Sequence, residues 1–283
     1  MDNTEYHRPK TLAAALALLA SGGGASVPVA GATDVWVNLK TKKQKPASFV
    51  SLRGVAELNF IREEAGSVEI GAATPHAALE DSELVRALYP ALHAAASAVG
   101  SRQVRNVGTI GGNLCNAAPS ADTAVPLFLY DAELKIEGPG GGRTLKPSEF
   151  FVGPGKTDLK PGELLVSVIF PKPAPGTVSG YIKHTRRKAM ELPLLGVGAL
   201  ASIEPGTKKV SKVRIALGVA GPVPMRIEKA EAALLGAVLD ASSVAEAARI
   251  ASEEARVRDS WRAGAWYRRE MIKALVPRIL LGD

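Results

Sequence analysis

The sequence predicts an α+β protein with a small parallel α/β unit, a mixed α+β unit, and a C-terminal three-stranded antiparallel sheet with a helix bundle. Residues 1–56 alternate between helix and strand patterns, which is typical of a parallel βαβ-like unit. Residues 57–172 mix hairpins with helices, and residues 177–283 place three strand patterns ahead of three helical ones. The prolines of segment 171–176 favour an extended connection and mark a domain boundary.

The first unit is predicted to begin with a helix at 11–20, capped by Thr11 and ended by the glycines at 22–24. A strand at 27–30, a glycine loop at 31–34, a helix at about 34–42 and a strand at 48–52 follow. A secretory signal peptide is the alternative, because Arg8 and Lys10 precede an apolar stretch and residues 29–32 look like a cleavage site. Cleavage there would destroy the glycine loop, so we favour the helix.

Apolar spacing and turn residues predict the remaining elements. In residues 57–172 these are a hairpin of strands 58–62 and 67–72 around the turn at 64–66, helices at 83–99 and 121–130, strands at 133–137 and 143–146 around the turn at 138–142, and a strand at 163–170. In residues 177–283 they are strands at 180–183, 196–203 and 209–219, and helices at about 226–235, 242–257 and 264–280.

Composition excludes several classes of protein. The 283 residues are 46% apolar and 22% charged, as in soluble globular proteins, and no apolar run reaches the roughly 20 residues that span a bilayer. A single cysteine, Cys115, excludes internal disulfides, a self-contained iron–sulfur cluster and a thiolate zinc site, and it fits a reducing, cytoplasmic compartment. The histidines show no ligand spacing, so no metal site is predicted.

The chain carries a net charge of +7, part of which comes from basic clusters. These clusters are Lys40, Lys42, Lys43 and Lys45; Arg186, Arg187 and Lys188; and Arg268 and Arg269. A surface for nucleic acid would interleave stacking aromatics with such clusters, but aromatics make up 5% of the chain and none is interleaved. We therefore interpret the basic clusters as solvated or protein-contacting surface, with binding to the phosphate of a small ligand as the alternative. We predict no nucleic-acid partner.

Two glycine loops carry the strongest functional signal. The longer, residues 106–122, holds three glycines, two hydroxyls, three side-chain amides and one carboxylate, and the shorter is Ala30-Gly31-Ala32-Thr33-Asp34. Glycines let the backbone approach a ligand closely, and amides and hydroxyls can donate to phosphate or ribose oxygens. Two separate loops predict a ligand with an extended phosphate, such as a dinucleotide; tight turns in a strand-rich protein are the alternative.

Three further patterns do not match the functional motifs that they suggest. Residues 153–157 end like a Walker A loop, but Phe150 stands where that motif needs glycine, so a turn is predicted. The glycine spacing of the longer loop differs from the dinucleotide-binding fingerprint. Cys115 is interpreted as a small packed residue beside the ligand rather than as a redox thiol.

The order of the two loops resembles one known family. Residues 30–34, followed by Gln-Val-Arg-Asn-Val-Gly-Thr-Ile-Gly-Gly-Asn at 103–113, are similar to the FAD-binding medium subunit of molybdenum hydroxylases, the xanthine dehydrogenase and carbon monoxide dehydrogenase flavoproteins. The likeness continues through residues 118–122, 163–171 and 181–183 with Arg187. It implies a two-subdomain FAD-binding fold, formed by residues 1–56 and 57–172 with FAD between them, and a C-terminal sheet-and-helix domain at 177–283.

The resemblance also implies which residues bind the cofactor. They are Val29, Ala30, Gly31, Ala32, Thr33, Asp34, Val35, Thr109, Ile110, Gly111, Gly112, Asn113, Asp122, Leu165 and Lys183. The loops wrap the pyrophosphate with backbone N–H groups and with the Thr33 and Thr109 hydroxyls. Asp122 accepts from a ribityl or ribose hydroxyl, and the Leu165 backbone contacts the flavin ring. Lys183 brings a positive charge to the pyrimidine edge of the ring, which favours the anionic reduced flavin.

Two features depart from the family pattern. The family loop is often Ala-Gly-Gly-Thr, and Ala32 stands at the second glycine, where a positive φ is costly for a residue with a Cβ. Some relatives that reduce aromatic thioesters carry an inserted loop whose cysteines hold an extra cluster. The single cysteine of this chain excludes that cluster.

The resemblance implies an electron-transfer subunit with no catalytic residue of its own. A small partner subunit with two [2Fe-2S] clusters would deliver electrons to FAD, and the external acceptor would be NAD, a quinone, a small protein or oxygen. A large partner subunit with a molybdenum–pterin cofactor would hydroxylate the substrate, in a dimer of heterotrimers. One alternative is a self-sufficient flavin oxidase, for which neither a substrate base nor a linking histidine beside the loop is evident. The other is a nucleotide- or RNA-binding protein.

Overall fold

A computed structural model describes residues 4–41 and 46–282; the basic positions Lys42, Lys43 and Lys45 lie outside the described residues. The chain forms two compact units, each built from separate stretches of sequence. The first unit combines residues 1–78, 102–117 and 132–171, and the second combines residues 79–101, 118–131 and 172–283. The domain bounds inferred from the sequence stay a prediction.

The strands of the described chain are β1 Glu5–His7, β2 Ser26–Val29, β3 Ser48–Ser51, β4 Ile61–Glu63, β5 Ser67–Gly71, β6 Glu133–Gly138, β7 Gly141–Leu145, β8 Phe151–Gly153, β9 Lys156–Thr157, β10 Leu164–Pro171, β11 Val178–His184, β12 Leu195–Ile203, β13 Val210–Gly218 and β14 Met225–Arg226. The helices are α1 Leu12–Ser21, α2 Thr33–Lys40, α3 His76–Asp81, α4 Glu83–Leu88, α5 Pro90–Ser97, α6 Arg102–Arg105, α7 Ile110–Cys115, α8 Ala124–Leu129, α9 Pro147–Phe150, α10 Glu228–Leu234, α11 Ala241–Glu254 and α12 Ala265–Leu281.

A parallel sheet of the first unit has the strand order β1-β3-β2. β2 and β3 run in parallel on either side of α2 in the chain, which confirms the predicted βαβ-like unit. β1 is not predicted from the sequence, because three residues are too few to show a strand pattern. It pairs in parallel with the other side of β3, which makes β3 the central strand.

Helix α1 confirms the helical interpretation of the N-terminal apolar stretch. Thr11 Oγ1 accepts a hydrogen bond from the backbone amide of Ala14 at 3.2 Å, which is the N-cap contact expected from the sequence. Ala15 and Leu19 are four residues apart, so they share one face of the helix. Both belong to the buried core that also contains Val50 of β3, Leu164 of β10 and their neighbours. The two sheets of this unit therefore share a core.

The second sheet of this unit is antiparallel and has the order β4-β5-β10-β6-β7. β4 and β5 form the predicted hairpin, although β4 begins only at Ile61 because Ala56–Leu58 is a 3-10 turn. β10 lies at the centre and is buried along most of its length, which explains its nearly continuous apolar sequence. β8 and β9 pair around Pro154-Gly155, so residues 153–157 form the predicted turn, with φ at 68° for Gly155.

The helix predicted at 83–99 is instead two helices. Ser82 caps α4, which ends at Leu88, and Pro90 opens α5. Proline has no amide hydrogen and its ring clashes with the preceding turn, so it interrupts a helix but suits the first turn of a new one. The apolar spacing continues through Pro90, but a single helix cannot, so the sequence pattern predicts one helix where the structure has two.

The second unit contains an antiparallel sheet with the order β11-β12-β13-β14. The predicted strands are present, and β14 extends the sheet by two residues that are too few to predict. The helices α10, α11 and α12 lie near their predicted positions. Val197 and Ala199 of β12 share a buried core with Ile272 and Val276 of α12. The three helices therefore cover one face of the sheet.

The opposite face of this sheet is covered by α8. A Cβ at Gly198 of β12 would stand 2.7 Å from Val125 and 2.8 Å from Leu129, so glycine is required for this close approach. Val197 and Ala199 point to the other face, because side chains alternate along a strand. Residues 118–131 thereby become part of the unit that holds the C-terminal sheet.

These elements confirm the α+β class predicted from the sequence. Among residues 4–41 and 46–282, no helix combines the length and the apolar composition needed to cross a bilayer.

Candidate functional site

The first glycine loop connects the end of β2 to α2. Ala32 adopts the left-handed conformation, with φ at 59°, and its carbonyl accepts the amide of Trp36 at 2.9 Å. Within the described residues no side chain caps α2, and the backbone N–H groups of Thr33, Asp34 and Val35 have no acceptor. We call these groups the first-turn amides. Because they lie at the positive end of the helix dipole and have no acceptor, they would stabilise an anion bound at the N-terminus of α2.

The other residues of this loop shape its surroundings. The carbonyl of Val29, the last residue of β2, accepts the amide of Leu52 at 2.8 Å, which anchors the loop to the parallel sheet. Desolvation raises the pKa of Asp34 above its usual value.

The second glycine loop leads into α7, and its amides are already used by the chain. The amides of residues 110–113 donate, in order, to Thr74 O (3.0 Å), Ala72 O (2.8 Å), Thr109 Oγ1 (3.0 Å) and Thr109 O (3.0 Å). In the chain itself the helix cap and residues 72–74 accept from these amides, and their contact with a phosphate stays a prediction. Because Thr109 Oγ1 acts as an acceptor in this cap, its hydroxyl proton remains a donor.

The structure brings the two loops into contact. A Cβ at Gly31 would stand 2.0 Å from the carbonyl oxygen of Val107, which no side chain could tolerate. A Cβ at Gly108 would stand 3.7 Å from Thr33 Oγ1 and 3.5 Å from Cδ2 of His76. Glycine at position 31 is therefore needed because the backbones of the loops touch.

His76 is a member of this cluster that sequence reasoning missed. Its backbone amide donates to Gly108 O at 2.9 Å, and its imidazole is 2% exposed. Burial, and to a lesser degree the charge of Arg105, lowers the pKa of His76 to about 4, so the ring is neutral at pH 7. The sequence showed no histidine beside the loop; the structure places this one there. A position 32 residues before Gly108 carries no signal of that contact in a single sequence.

Leu165 lies at a β-bulge of β10. The register with β6 shifts between Leu165 and Ser167, so Val166 is the extra residue. Val166 O accepts the amide of Ala72 at 2.8 Å, and Ala72 O accepts the amide of Gly111 at 2.8 Å. One residue, Ala72, therefore ties the bulge beside Leu165 to the second glycine loop.

In the second unit, Asp122 and Lys183 bind each other. Lys183 Nζ donates to Asp122 Oδ2 at 2.8 Å and to Ala98 O at 2.9 Å, and the Tyr181 hydroxyl donates to Asp122 Oδ1 at 2.7 Å. Burial raises the pKa of Asp122, and the charge of Lys183 opposes that rise. Burial and the adjacent carboxylate raise the pKa of Tyr181 well above its usual value, so the phenol stays a donor. Tyr181 and Lys183 are two apart on β11 and share a face of the strand.

Cys115 is the last residue of α7. Desolvation raises the pKa of its thiol to about 12. The thiol therefore stays protonated at neutral pH, whereas redox and nucleophilic chemistry need the thiolate. This supports the interpretation of Cys115 as a packed side chain.

Comparison with known protein families decides what these loops belong to. Residues 2–173 match the family described as the FAD binding domain in molybdopterin dehydrogenase, and residues 180–282 match the CO dehydrogenase flavoprotein C-terminal domain. The chain belongs to the FAD-binding subunits of the molybdenum hydroxylase family. It is thus an FAD-dependent oxidoreductase subunit, of the medium-chain type found in multi-subunit complexes.

Individual relatives match this FAD-binding subunit over nearly its whole length. The xanthine dehydrogenase FAD-binding subunit of Escherichia coli O157:H7 is 36% identical over 281 residues, covering 99% of this chain and 95% of that protein. The carbon monoxide dehydrogenase medium chain of Hydrogenophaga pseudoflava is 33% identical over 276 residues, covering 98% and 95%. The solved structure of that organism's carbon monoxide dehydrogenase, in a form lacking the Mo-pyranopterin moiety, matches with a TM-score of 0.93 at 34% identity, covering 99% of this chain and 96% of the matched one.

The residues of the first unit fit the diphosphate of FAD. The first-turn amides and the hydroxyls of Thr33 and Thr109 form a set of donors beside two loops that touch. A Cβ at Gly112 would meet only Thr109 Oγ1, at 3.0 Å, within the described residues, so this side of the second loop is open. Hydrogen-bond donors next to an open glycine match an anionic diphosphate.

Proposed function

We propose that this FAD-binding subunit holds FAD non-covalently and passes electrons from the [2Fe-2S] clusters of a small partner subunit to an external acceptor. A large partner subunit with the molybdenum–pterin cofactor would hydroxylate the substrate. FAD exchanges electrons singly and in pairs, which joins one-electron carriers to two-electron acceptors. The residues of this chain bind and position FAD, and none of them acts as an acid, base or nucleophile on the substrate.

The first-turn amides of α2, held against the second glycine loop, carry this proposal. Backbone N–H groups at a helix N-terminus bind phosphate through hydrogen bonds and through the helix dipole. Since the amides of residues 110–113 have acceptors in the chain, the first loop supplies the backbone donors. The hydroxyls of Thr33 and Thr109 complete the donor set.

We assign the pyrophosphate site to both loops, with different roles for their members. The residues are Val29, Ala30, Gly31, Ala32, Thr33, Asp34 and Val35 from the first loop and Thr109, Ile110, Gly111, Gly112 and Asn113 from the second. Thr33, Asp34, Val35 and Thr109 donate hydrogen bonds. The other members shape the cradle: Gly31 lets the loops touch, Gly111 packs closely against Ala72, Gly112 leaves its side of the second loop open, and Ala32 turns the backbone into α2.

We assign the flavin ring to the backbone at Leu165 and to Lys183, and a ribityl or ribose hydroxyl to Asp122. The pairing of Asp122 with Lys183 supports this, because it holds both buried side chains in a single orientation. Lys183 has three N–H donors, of which Asp122 and Ala98 use two among the described residues. The third remains for the pyrimidine edge of the ring.

Exposed aromatic side chains support assembly with partner subunits. Trp261 and Trp266 of the second unit are 77% and 73% exposed. The guanidinium groups of Arg186 and Arg262 lie 5.7 Å and 4.6 Å from the centre of the Trp261 ring. Tryptophan and arginine are enriched at the energetic centres of protein interfaces, and large exposed apolar side chains mark interaction sites. We assign this tryptophan patch, formed by these four residues, to a contact within a cytoplasmic dimer of heterotrimers.

The choice of substrate lies outside this chain in our proposal. Relatives belong to dehydrogenases named for xanthine, carbon monoxide and nicotinate. Substrates this different require different binding pockets, which the large subunit would provide. The acceptor would be NAD, a quinone, a small protein or oxygen.

The visible absorption spectrum of the purified chain tests the proposal directly. We expect the two bands of oxidised flavin, and we expect them to move to the supernatant after acid precipitation, because the binding is non-covalent. Colour that stays with the precipitate would contradict non-covalent binding. A colourless protein that takes up no added FAD would overturn the proposal and would favour a nucleotide- or RNA-binding role.

A further inference from the structure

Tyr181 completes a chain of hydrogen bonds that ends at a residue assigned above to the flavin ring. Its hydroxyl donates to Asp122 Oδ1 at 2.7 Å, and Lys183 Nζ donates to Asp122 Oδ2 at 2.8 Å. Each carboxylate oxygen therefore has a donor of its own, and the two donors together fix the plane of the carboxylate. Tyr181 is not among the cofactor-binding residues that the family resemblance implies.

The fold makes room for the Tyr181 hydroxyl. Tyr181 and Lys183 share one face of β11, and Gly196 of β12 pairs with Lys183 in the register of the sheet. A Cβ at Gly196 would stand 2.8 Å from Tyr181 Oη and 3.2 Å from Cε2 of the same ring. A side chain at position 196 would displace the phenol from Asp122, so this hydrogen bond depends on a glycine in the neighbouring strand.

The buried carboxylate of Asp122 depends on its two donors to stay ionised. Its side chain is 6% exposed, and this burial raises the pKa of Asp122. The charge and the hydrogen bond of Lys183 oppose that rise, and so does the hydrogen bond from Tyr181. Loss of the Tyr181 hydroxyl would therefore let Asp122 take up a proton at a higher pH than it does in the unaltered chain.

The groups that act on Asp122 lie close to it in the second unit. Lys183 and Tyr181 both come from β11. The C-terminal end of α5 contributes a backbone carbonyl, Ala98 O, which accepts from Lys183 Nζ at 2.9 Å, and α8 is apolar throughout. His184 lies on the opposite face of β11, where its Nε2 pairs with a tyrosine hydroxyl of α12 at 2.8 Å. Two neighbours on one strand therefore control the ionisation of Asp122.

We propose that Tyr181 is a positioning residue of the FAD site, which holds Asp122 as an ionised carboxylate and thereby keeps Lys183 in place for the flavin ring. This inference rests on the proposed function, since it requires FAD beside Lys183. Tyr181 acts through Asp122 and needs no contact with FAD. An ionised Asp122 accepts hydrogen bonds at both oxygens and attracts Lys183, whereas a protonated Asp122 carries a donor of its own and no charge.

The pH dependence of FAD binding by Tyr181→Phe tests the inference in the full-length chain, because this change removes only the hydroxyl. Tyr130→Phe is the matched control. Tyr130 is a buried tyrosine of the same unit, and its hydroxyl contacts Ser179 Oγ at 2.7 Å and accepts the amide of Ala91 at 3.1 Å. The dissociation constant for FAD is measured between about pH 8.5 and 5.5 and divided by that of the unaltered chain at each pH, so that the titration of other groups cancels.

We expect Tyr181→Phe to weaken FAD binding about threefold at about pH 8.5 and about tenfold or more at about pH 5.5. The loss grows as the pH falls because, without the hydroxyl, Asp122 takes up a proton more readily. Tyr130→Phe should give a ratio that does not change with pH. In the Asp122→Asn background, where position 122 cannot ionise, Tyr181→Phe should add no pH dependence.

Infrared spectroscopy of the FAD-free chain reports the protonation of Asp122 directly. A protonated carboxyl group has a C=O stretching band that a carboxylate lacks, and the absence of this band from Asp122→Asn assigns it. During titration to lower pH, we expect the band to appear at a higher pH in Tyr181→Phe than in the unaltered chain or in Tyr130→Phe.

Other results overturn the inference. A loss of FAD affinity in Tyr181→Phe that is independent of pH and no larger than that in Tyr130→Phe would show that the hydroxyl serves only packing. A carboxyl band at the same pH in Tyr181→Phe and the unaltered chain would show that Tyr181 does not keep Asp122 ionised. A shifted band without a changed pH profile of FAD binding would show that the ionisation of Asp122 does not affect FAD.

The same measurements separate the inference from the proposed function. In each of these three cases, FAD uptake by the unaltered chain would leave the proposed function standing. If the unaltered chain takes up no FAD, the proposed function fails, and the role of Tyr181 in the FAD site fails with it.

Discussion

The ion pair of Asp122 and Lys183 is the most heavily desolvated pair of opposite charges in the candidate site. Their side chains are 6% and 12% exposed. A buried ion pair contributes little net stability, but loss of one partner leaves the other charge buried and uncompensated. We expect Asp122→Asn to lower the free energy of unfolding by about 3 kcal/mol, measured by urea denaturation. The double variant Asp122→Asn/Lys183→Met should be less destabilised than Asp122→Asn; a double variant that loses the sum of both single effects would contradict this coupling.

Ala32 is strained by its left-handed backbone, with φ at 59°. Glycine has no Cβ to oppose this conformation, so we expect Ala32→Gly to raise the free energy of unfolding by about 1 kcal/mol. Ala17→Gly is the control, because Ala17 is exposed in the middle of α1. Glycine in a helix interior is unfavourable, so this change should lower the free energy of unfolding by about 1 kcal/mol. Urea denaturation of both variants checks the prediction, which fails if the two changes have the same sign.

His76 makes the stability of the FAD-free chain depend on pH. Folding lowers the pKa of His76 from 6.5 to about 4, so between these values the unfolded chain binds a proton that the folded chain does not. The free energy of unfolding therefore falls as the pH drops through this window, by about 3 kcal/mol from this group. Urea denaturation between pH 7 and 4 should show a shallower decline for His76→Asn than for the unaltered chain. Parallel curves would contradict the prediction.

At the level of single residues, the sequence identifies those whose chemistry is local. Thr11 is a cap because a hydroxyl stands directly before a helical pattern, and the structure shows that cap. The cap at Thr109 was not predicted, because the short helix α7 begins in a glycine-rich stretch without a helical pattern. His76 could not be identified, because its contact with Gly108 joins residues 32 positions apart in the sequence. The mutual pairing of Asp122 and Lys183, 61 positions apart, was hidden for the same reason.

At the level of elements, the contact between the two glycine loops depends on Gly31. A Cβ there would stand 2.0 Å from Val107 O, so Gly31→Ala must move one loop away from the other. We expect a loss of about 3 kcal/mol of stability and at least a tenfold loss of FAD affinity, measured by urea denaturation and flavin fluorescence. Gly66→Ala, in the β4–β5 turn with no atom within 4 Å of its added Cβ, should change neither. Normal FAD binding by Gly31→Ala would show that the loops need not touch.

Which helix terminus can receive a phosphate was not evident from the two loop sequences. Both loops end in a helix, and Thr109 looks the better start because it is a capping residue. In the structure that cap, together with carbonyls of residues 72–74, satisfies the amides of residues 110–113, whereas α2 begins without a side-chain cap in the described chain. The helix start that lacks a good capping residue is therefore the one whose first amides have no acceptor in the described chain.

At the level of the whole molecule, the sequence predicts the α+β class and most elements, but not which of the two units each element belongs to. Periodicity identifies α8, yet only the glycines of the C-terminal sheet explain why α8 belongs with that sheet: Gly198 leaves room for Val125 and Leu129. Segments 79–101 and 118–131 thus join the second unit, although they lie between segments of the first. Close packing of this kind depends on pairs of residues far apart in sequence, which periodicity does not report.

Assembly with partner subunits should depend on the tryptophan patch. We expect Trp261→Ser/Trp266→Ser to keep its full FAD content but to lose about tenfold or more in affinity for the co-expressed partner subunits, measured by co-purification and by light scattering of the complex. Leu235→Ser is the control, because Leu235 is a 59% exposed apolar residue of the same unit outside the patch. Complexes that form normally with the double variant would remove the patch from the interface.

The exposure of helix α2 has a consequence for how the FAD-free protein is degraded. None of its residues, all of them described, is buried, so the helix contributes little to the core. A diphosphate bound to both its first turn and Thr109 would fasten α2 to the rest of the first unit. Loading with FAD would then also complete the folding of this segment. Chains that lack FAD should exchange the backbone hydrogens of α2 rapidly and be cut there first by proteases, so that degradation would remove empty subunits before loaded ones.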